Sequence, residues 1–221
     1  MANPSSIILA SDVAAYCGTH DFLLTMQQAT SLAVYLELLL KWNQRINMVG
    51  FKTWQSVLGN LVLDSFHLGE FIKKIIYPHV PSTWDLGAGA GLPGIPLRMV
   101  WTDGDYWMVE SREKRALFLA TALSRLALSN TSVFHGRAEA FMPSMPAANI
   151  ILSRAFIPWP QLLKLVSPYL HIDGHVILLS SMPVDQSPDG WRITASTEYS
   201  IAKKLRYFYA LSVVTPINAP S

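Results

Sequence analysis

Residues 82–97 read STWDLGAGAGLPGIPL and concentrate glycine after a short apolar stretch, at Gly87, Gly89, Gly91 and Gly94. Glycine suits a sharp turn from strand to helix, because it tolerates positive φ and lets a ligand approach bare backbone. The last three glycines satisfy the G-x-G-x-x-G pattern of dinucleotide sites. However, Pro93 and Pro96 lack N–H donors that a pyrophosphate would need, and no G-K-S/T sequence follows. The pattern favours a nucleoside ligand without phosphates over a purely structural turn.

Acidic residues end the first two predicted strands beside this run. Asp85 precedes the glycines, and Glu110 closes the stretch DYWMVE, near the spacing of about 20 residues at which a carboxylate meets ribose hydroxyls. D-x-G-x-G-x-G with a second acid after the next strand is the pattern with which Rossmann-like methyltransferases bind S-adenosylmethionine. We therefore expect Asp85, Gly87, Gly89, Gly91 and Glu110 to bind this cofactor. For Glu110, a solvated strand end is the alternative.

The elements that position these residues change character near residue 78. Before it, apolar residues recur every three or four positions from Phe22 to Ile46, which predicts a long helix beginning at Thr19 or Asp21. After it, short apolar strands alternate with helical stretches, which indicates a mainly parallel sheet with helices on both faces, and the tail favours an antiparallel edge. We predict an α/β, Rossmann-like class I methyltransferase fold. An N-terminal helical extension spans 1–78, and the S-adenosylmethionine-binding domain spans 79–221.

Composition narrows the class of protein. With 51% hydrophobic and 14% charged residues, the chain has enough apolar surface to fold. One cysteine, Cys17, allows no internal disulfide, and the N-terminus lacks a signal-peptide pattern, so we expect a cytoplasmic protein. The apolar runs are shorter than the roughly 18 residues of a membrane span, so we expect no membrane partner. A net charge of +2 is compatible with a nucleic-acid partner.

Several sequence blocks occur together along the chain. They are LKWNQRINMV (40–49), LVLDSF (61–66), DLGAGAGLPGIPL (85–97), ESREKRALFL (110–119), GRAEAF (136–141) and LSRAF (152–156). In this order and spacing they resemble the RsmG family, also called GidB, of bacterial small-subunit ribosomal RNA methyltransferases. The resemblance covers roughly residues 35–182, and GLPGIPL together with SRAF is uncommon outside the family.

The resemblance implies both an activity and site residues. Members of the family methylate guanine N7 in 16S rRNA, using S-adenosylmethionine on a Rossmann-like fold with a helical N-terminal extension. Carried over by motif, the cofactor-binding residues would be Gly87, Leu92, Ala138, Glu139 and Arg154. Arg154 closes the strand after which other methyltransferases keep a catalytic motif, so it is also the catalytic candidate. A salt-bridged arginine at the edge of the core is the alternative for this position.

The chain departs from the family pattern where RNA contacts are expected. Asn60 and Leu61 stand in place of the usual Arg-His before LDS, and Ser180 and Ser181 stand in place of the common Lys-Gly. A methyltransferase of the same fold with another RNA or small-molecule substrate is therefore one alternative. A non-catalytic, cofactor-binding module associated with the ribosome is another.

The residues also limit the type of methyl transfer. Methylation of adenine N6 or cytosine N4 uses a D/N-P-P-Y/F motif where this chain has SRAF, and methylation of cytosine C5 needs a nucleophilic cysteine, whereas Cys17 lies far upstream. Guanine N7 carries its own lone pair and needs no general base. Orientation, desolvation and electrostatics would then supply the rate, in accord with the lack of a conspicuous catalytic pair.

Basic residues and histidines complete the expectations about partners. Lys114 and Arg115 begin a helix beside the glycine run and are the candidate contacts to the phosphates of 16S rRNA or of the small ribosomal subunit. The histidines are scattered, and His171 and His175 straddle a turn, so we expect no metal site. We expect the protein to act as a monomer.

Overall fold

The N-terminal region is helical in the computed structural model, which describes residues 7–75, 80–154, 156–184 and 186–214. Its helices are α1 (Ala10–Gly18), α2 (Met26–Ile46), α3 (Trp54–Val57) and α4 (Leu63–Ile72), with a π-helical turn over Leu58–Val62 that joins α3 to α4. The predicted boundary between residues 78 and 79 lies outside the described residues, so the division into two domains stays a prediction.

The long helix α2 begins later than the sequence pattern predicts. Thr25, rather than Thr19 or Asp21, is its N-cap: the Thr25 hydroxyl accepts the Gln28 N–H at 3.2 Å, and the Gln28 side chain accepts the Thr25 N–H at 2.9 Å. This reciprocal pair satisfies N–H groups that a helix start leaves without partners. Asp21 has a positive φ of 65° and lies outside the helix. The apolar periodicity thus extends beyond the helix that it predicts.

A seven-stranded sheet follows the helices, in the order β3-β2-β1-β4-β5-β7-β6. Its strands are β1 (Ser82–Leu86), β2 (Asp105–Glu110), β3 (Thr131–His135), β4 (Ala148–Ser153), β5 (Leu170–Ser180), β6 (Trp191–Ile201) and β7 (Lys204–Val213). The first five strands are parallel, while β7 pairs antiparallel with β5 and β6. The predicted parallel sheet with an antiparallel edge is confirmed.

Helices cover both faces of the sheet, as predicted. The connecting helices are α5 (Gly94–Val100), α6 (Glu113–Arg125), α7 (Ala138–Phe141) and α8 (Trp159–Val166). On one face, α5 and α6 share a core with the N-terminal helices, in which Tyr35, Phe66 and Phe118 are buried. On the other face, Trp84 and Phe141 pack with α7 and α8. The N-terminal helices therefore pack against the same face of the sheet as α5 and α6.

The register brings the carboxyl ends of the central strands to one edge. Leu86 of β1 pairs with Val109 of β2 on one side and with Ser153 of β4 on the other. Chain connections leave β1 and β4 in opposite directions, so a crevice opens where these two strands end. In open α/β sheets, this switch point is where ligands bind.

Candidate functional site

The glycine loop, residues 87–93, leaves β1 and is tied to the end of β2. The N–H groups of Gly87 and Ala88 both donate to the Val109 carbonyl, at 2.9 and 3.1 Å. Gly87, Gly89 and Gly91 have φ angles of 76°, 57° and 75°, a region that costs other residues about 1–2 kcal/mol. The loop therefore needs glycine for its path, as the sequence predicts.

The glycines differ in what surrounds them. A Cβ on Gly91 would lie 2.5 Å from the Ile95 side chain, and one on Gly94 would lie 2.7 Å from the Asp85 carboxylate. These two positions are restricted by the protein's own packing. At Gly89 the nearest atoms to an added Cβ are 3.7 Å away, one of them in the Arg115 guanidinium. Gly89 is thus the position where the loop leaves space for an outside group.

Glu110 supports the loop at this open position. One carboxylate oxygen accepts the Gly89 N–H at 2.9 Å, and the other accepts the Arg112 N–H at 2.8 Å. Only 5% of Glu110 is exposed. A carboxylate oxygen has two lone pairs, so each can accept a further hydrogen bond from a hydroxyl. The open Gly89 backbone beside an acceptor carboxylate fits the ribose of a nucleoside cofactor.

Asp85, on β1, is buried beside the glycine loop, and its carboxylate faces the start of α5. Its carboxylate accepts the Tyr106 hydroxyl at 3.1 Å and a backbone hydrogen bond from Gly94. Burial raises the pKa of the Asp85 carboxyl to about 7, against the opposing effect of these hydrogen bonds and of the Arg154 charge. In this position Asp85 fixes the start of α5. Its predicted contact with a cofactor stays a prediction.

The start of α5 offers little to a phosphate. The Ile95 N–H donates to the Gly91 carbonyl at 2.7 Å, the Gly94 N–H is directed to Asp85, and Pro96 has no N–H. Anion sites at helix starts depend on free N–H groups. This geometry supports the sequence-based preference for a ligand without a pyrophosphate.

The N-terminal helices hold the loop from the side. The Tyr35 hydroxyl of α2 donates to the Ala90 carbonyl at 2.8 Å within the core, and burial raises the pKa of Tyr35. The Gln28 side chain donates to the Met99 carbonyl of α5 at 2.8 Å. Both contacts therefore attach α2 to the glycine loop and to the helix that follows it.

The remaining predicted residues follow the carboxyl ends of β1, β2 and β3, and their side chains differ in exposure. Leu92 and Ala138 are buried, and the Arg115 guanidinium lies beside Gly89. Glu139, at the start of α7, and Lys114, on α6, have exposed side chains. The structure therefore gathers the loop, Glu110 and Arg115 at one point and leaves Glu139 and Lys114 at its rim.

Arg154 lies just past β4 and makes the salt bridge that the sequence analysis gave as an alternative. Its Nη2 donates to Oδ2 of Asp64 in α4 at 3.0 Å, and its Nη1 lies 3.5 Å from the Leu61 carbonyl in the π-helical turn. The other Asp64 oxygen accepts the Tyr199 hydroxyl of β6 at 3.1 Å. About a quarter of the Arg154 side chain, 23%, stays exposed. We name Asp64, Arg154 and Tyr199 the arginine cluster.

Sequence reasoning missed two members of the arginine cluster. Asp64 lies in the LVLDSF block, and its signal is an acidic residue inside an otherwise apolar helical stretch. Tyr199 has no comparable signal, because alternating polar residues along β6 are typical of any edge strand. Its contact with Asp64 depends on the tertiary fold alone.

A cavity of about 230 Å³ opens at the carboxyl ends of β4 and β5, on the face of the sheet that α8 covers. Its lining includes Ser153, Trp159, Leu178 and Ser180. Within the described part of the chain, no group of three or more His, Cys, Asp or Glu side chains could hold a metal ion. No helix among the same residues is long and apolar enough to cross a membrane.

Comparison with known proteins places the chain in a family. The family model "GidB: rRNA small subunit methyltransferase G" matches residues 28–192. "Ribosomal RNA small subunit methyltransferase G" of Nitratidesulfovibrio vulgaris is 48% identical over 211 residues, which cover 95% of each chain. The protein of the same name from Lawsonia intracellularis is 44% identical over 94% of this chain and 97% of its own.

Solved structures support the fold. A putative O-methyltransferase from Klebsiella pneumoniae matches with a TM-score of 0.61 at 14% identity, covering 92% of this chain and 97% of that chain. A SAM-dependent methyltransferase from Aquifex aeolicus matches with a TM-score of 0.51 at 16% identity, covering 72% and 93%. With the family match and relatives along almost the whole length, the chain belongs to the rRNA small subunit methyltransferase G (GidB) family.

Proposed function

We propose that this chain transfers a methyl group from S-adenosylmethionine to N7 of a guanine in the 16S rRNA of the small ribosomal subunit. The observation that carries the proposal is the open Gly89 backbone between the Glu110 carboxylate and the Arg115 guanidinium. Family membership supplies the reaction class, since the named relatives are ribosomal RNA small subunit methyltransferases.

The cofactor-binding residues follow from the loop's geometry. Gly89 lets the ligand pass against bare backbone, and Glu110 accepts the ribose hydroxyls with the lone pairs that Gly89 and Arg112 leave free. We assign Gly87, Gly91 and Leu92 to shaping the loop around the cofactor, and Ala138 and Glu139, at the start of α7, to further contacts with it. S-adenosylmethionine, when bound, supplies an electrophilic methyl group on its sulfonium. The residues bind and orient it without contributing a nucleophile.

The arginine cluster serves the guanine side of the reaction. Guanine N7 attacks through its own lone pair, so the protein must orient the base and exclude water rather than remove a proton. Of the five N–H groups of a guanidinium, Arg154 directs two to Asp64 and Leu61, which leaves three for other acceptors. We assign these donors to the base or to the cofactor.

The RNA is held chiefly through its phosphates. We assign the phosphate contacts to Lys114 and Arg115, at the start of α6, because basic side chains bind a structured RNA there without reading its sequence. Asn60 and Ser180 are occupied locally: the Asn60 amide donates to the Ser56 carbonyl at 2.8 Å, and the Ser180 hydroxyl contacts the Met182 backbone at 2.6 Å. We further propose that the protein acts in the cytoplasm and is a monomer. Sedimentation of the purified protein tests the monomeric state.

A methyl-transfer assay tests the proposed function. Small ribosomal subunits from a strain that lacks the family's enzyme are incubated with the protein and tritiated S-adenosylmethionine, and modified nucleosides are identified by mass spectrometry. We expect N7-methylguanosine in 16S rRNA. Label in another nucleoside would favour a methyltransferase that has drifted to a different target. Cofactor binding without any transfer would favour the non-catalytic module.

A further inference from the structure

The hairpin between β6 and β7 carries basic residues to the same edge of the sheet as the site. Ser180, at the carboxyl end of β5, pairs with Tyr207, so β7 begins beyond this edge. Lys203 lies in the turn and Lys204 begins β7, and both are exposed. The tip is therefore on the site's side of the sheet, across the crevice from Lys114.

The hairpin tip also lies where this chain lacks basic residues of its family. Ser180, which replaces a common lysine, is on the strand next to the tip, and Tyr199 of the hairpin contacts Asp64 close to Asn60 and Leu61. The tip lies past residue 192, where the match to the family model ends. The basic groups that the resemblance leads us to expect at residues 60 and 180 thus have a candidate counterpart nearby on another element.

We propose that Lys203 and Lys204 form a second arm that binds phosphates of the substrate RNA, opposite Lys114 and Arg115. The inference rests on the proposed function for the identity of the RNA. Two arms on either side of the crevice would fix the direction in which the RNA crosses the site. Each phosphate contact releases a counterion and adds to the salt dependence of binding.

Binding of the purified protein to small ribosomal subunits, measured across a salt series, tests the second arm without relying on catalysis. We expect the double variant Lys203→Ala with Lys204→Ala to bind about tenfold more weakly and to reduce the slope of log affinity against log salt concentration by about 1.8. The control is the pair of substitutions Lys73→Ala with Lys74→Ala, which removes two charges as well, from exposed lysines just after α4 and near the opposite edge of the sheet. A double variant with the affinity and slope of this control would overturn the proposal, whether or not the protein methylates the subunit.

A different observation concerns Asp64 in the arginine cluster. Its side chain is 5% exposed and receives hydrogen bonds from Arg154 and Tyr199 on its two oxygens. Tyr199 is itself packed between His67 and Phe208, with ring centroids 4.5 and 4.6 Å away. A buried carboxylate held in this way has one orientation and fixes the guanidinium that it binds.

We infer that Asp64 is a positioning residue that aims Arg154 at the reacting groups, supported by Tyr199. The assignment depends on the proposed role of Arg154. Reacting groups misplaced by about 1 Å can lose about 100-fold in rate, so loss of the carboxylate should lower kcat far more than it lowers cofactor affinity. A salt bridge that only attaches α4 to the sheet would change stability and leave kcat intact.

Kinetics and NMR separate these two roles. We expect Asp64→Asn to lower kcat about 10- to 100-fold while S-adenosylmethionine affinity stays within about threefold, and to cause no further loss in an Arg154→Ala background. Tyr199→Phe should lower kcat several-fold with its ring packing kept. Glu70→Gln, an exposed carboxylate on the same helix, is the control.

Guanidinium NMR gives an answer independent of activity. The Arg154 Nη signals should be distinct in the wild type and averaged by rotation in Asp64→Asn. Averaged signals in the wild type, or full kcat in both Asp64→Asn and Tyr199→Phe, would overturn the positioning role. Absence of methyl transfer by a wild type with restrained Arg154 would refute the proposed function alone.

Discussion

The glycine loop and the arginine cluster, which we propose as the cofactor half and the substrate half of one site, are built in opposite ways. Asp85 and Glu110 lie on two successive strands, and Gly89 lies in the loop that follows the first of them. These residues are close in the chain, so their pattern is visible in the sequence. The cluster joins Arg154 to a residue 90 positions away, and Asp64 in turn to one 135 positions away. The cofactor half is therefore locally encoded, whereas the substrate half depends on the assembled fold and on the N-terminal helices.

The largest effect is expected at Gly89. A valine there meets no close protein atom at its Cβ but projects into the space assigned to the cofactor, so binding should weaken more than about 100-fold, or about 2.8 kcal/mol. Gly190→Val is the matched control, because Gly190 also has a positive φ, 76°, with nothing within 4 Å of an added Cβ. Calorimetry with S-adenosylmethionine should show loss in the first variant only. Equal affinity in both would disconnect the loop from the cofactor.

Glu110→Ala should have the next largest effect. A charge-assisted hydrogen bond contributes roughly 1.5–3 kcal/mol, so cofactor affinity should fall about 10- to 150-fold. Glu113→Ala removes an exposed carboxylate three residues away and should leave affinity unchanged. Competition by NAD in the same calorimetric experiment would contradict the assignment, because it would return the loop to a dinucleotide site.

Lys114→Ala should have a moderate effect, on the RNA side alone. One lost phosphate contact reduces the slope of log affinity against log salt concentration by about 0.9. It should weaken binding to the same extent whatever the RNA sequence. Cofactor affinity should not change. If S-adenosylmethionine binding fell instead, Lys114 would be a cofactor-binding residue, which would contradict its assignment to the RNA.

The last prediction is about stability rather than binding and concerns the pH dependence that Asp85 contributes. Burial raises its pKa from 3.8 to about 7, so its contribution to stability is fully present below pH 3.8 and is lost as pH rises through about 7. Relative to Asp85→Asn, the wild type should lose at most about 1.4 kcal/mol of unfolding free energy per pH unit between these values. Denaturant unfolding at several pH values measures the difference. A constant difference would show that Asp85 does not titrate in this range.

The sequence predicted those features that depend on local pattern. Strand and helix alternation, the antiparallel edge and the turn-forming glycines follow from periodicity and residue type. The start of α2 was predicted too early. The apolar spacing continues on the N-terminal side of the helix, whereas the Thr25–Gln28 pair makes the helix begin after Thr25. The different surroundings of Gly89 and Gly91 are invisible in the sequence, since they depend on whether Ile95 or open space lies opposite. Tyr199 was missed for the same reason.

Methylation in cells is the most direct measurement of the central claim that this site methylates guanine N7 in 16S rRNA. The wild-type chain and Glu110→Ala are expressed, at equal levels, in a bacterium without its own enzyme of this family, and N7-methylguanosine in 16S rRNA is quantified by mass spectrometry. We expect the wild type to restore the modification and Glu110→Ala to restore much less. A folded wild-type protein that binds S-adenosylmethionine yet leaves 16S rRNA without N7-methylguanosine would contradict the claim.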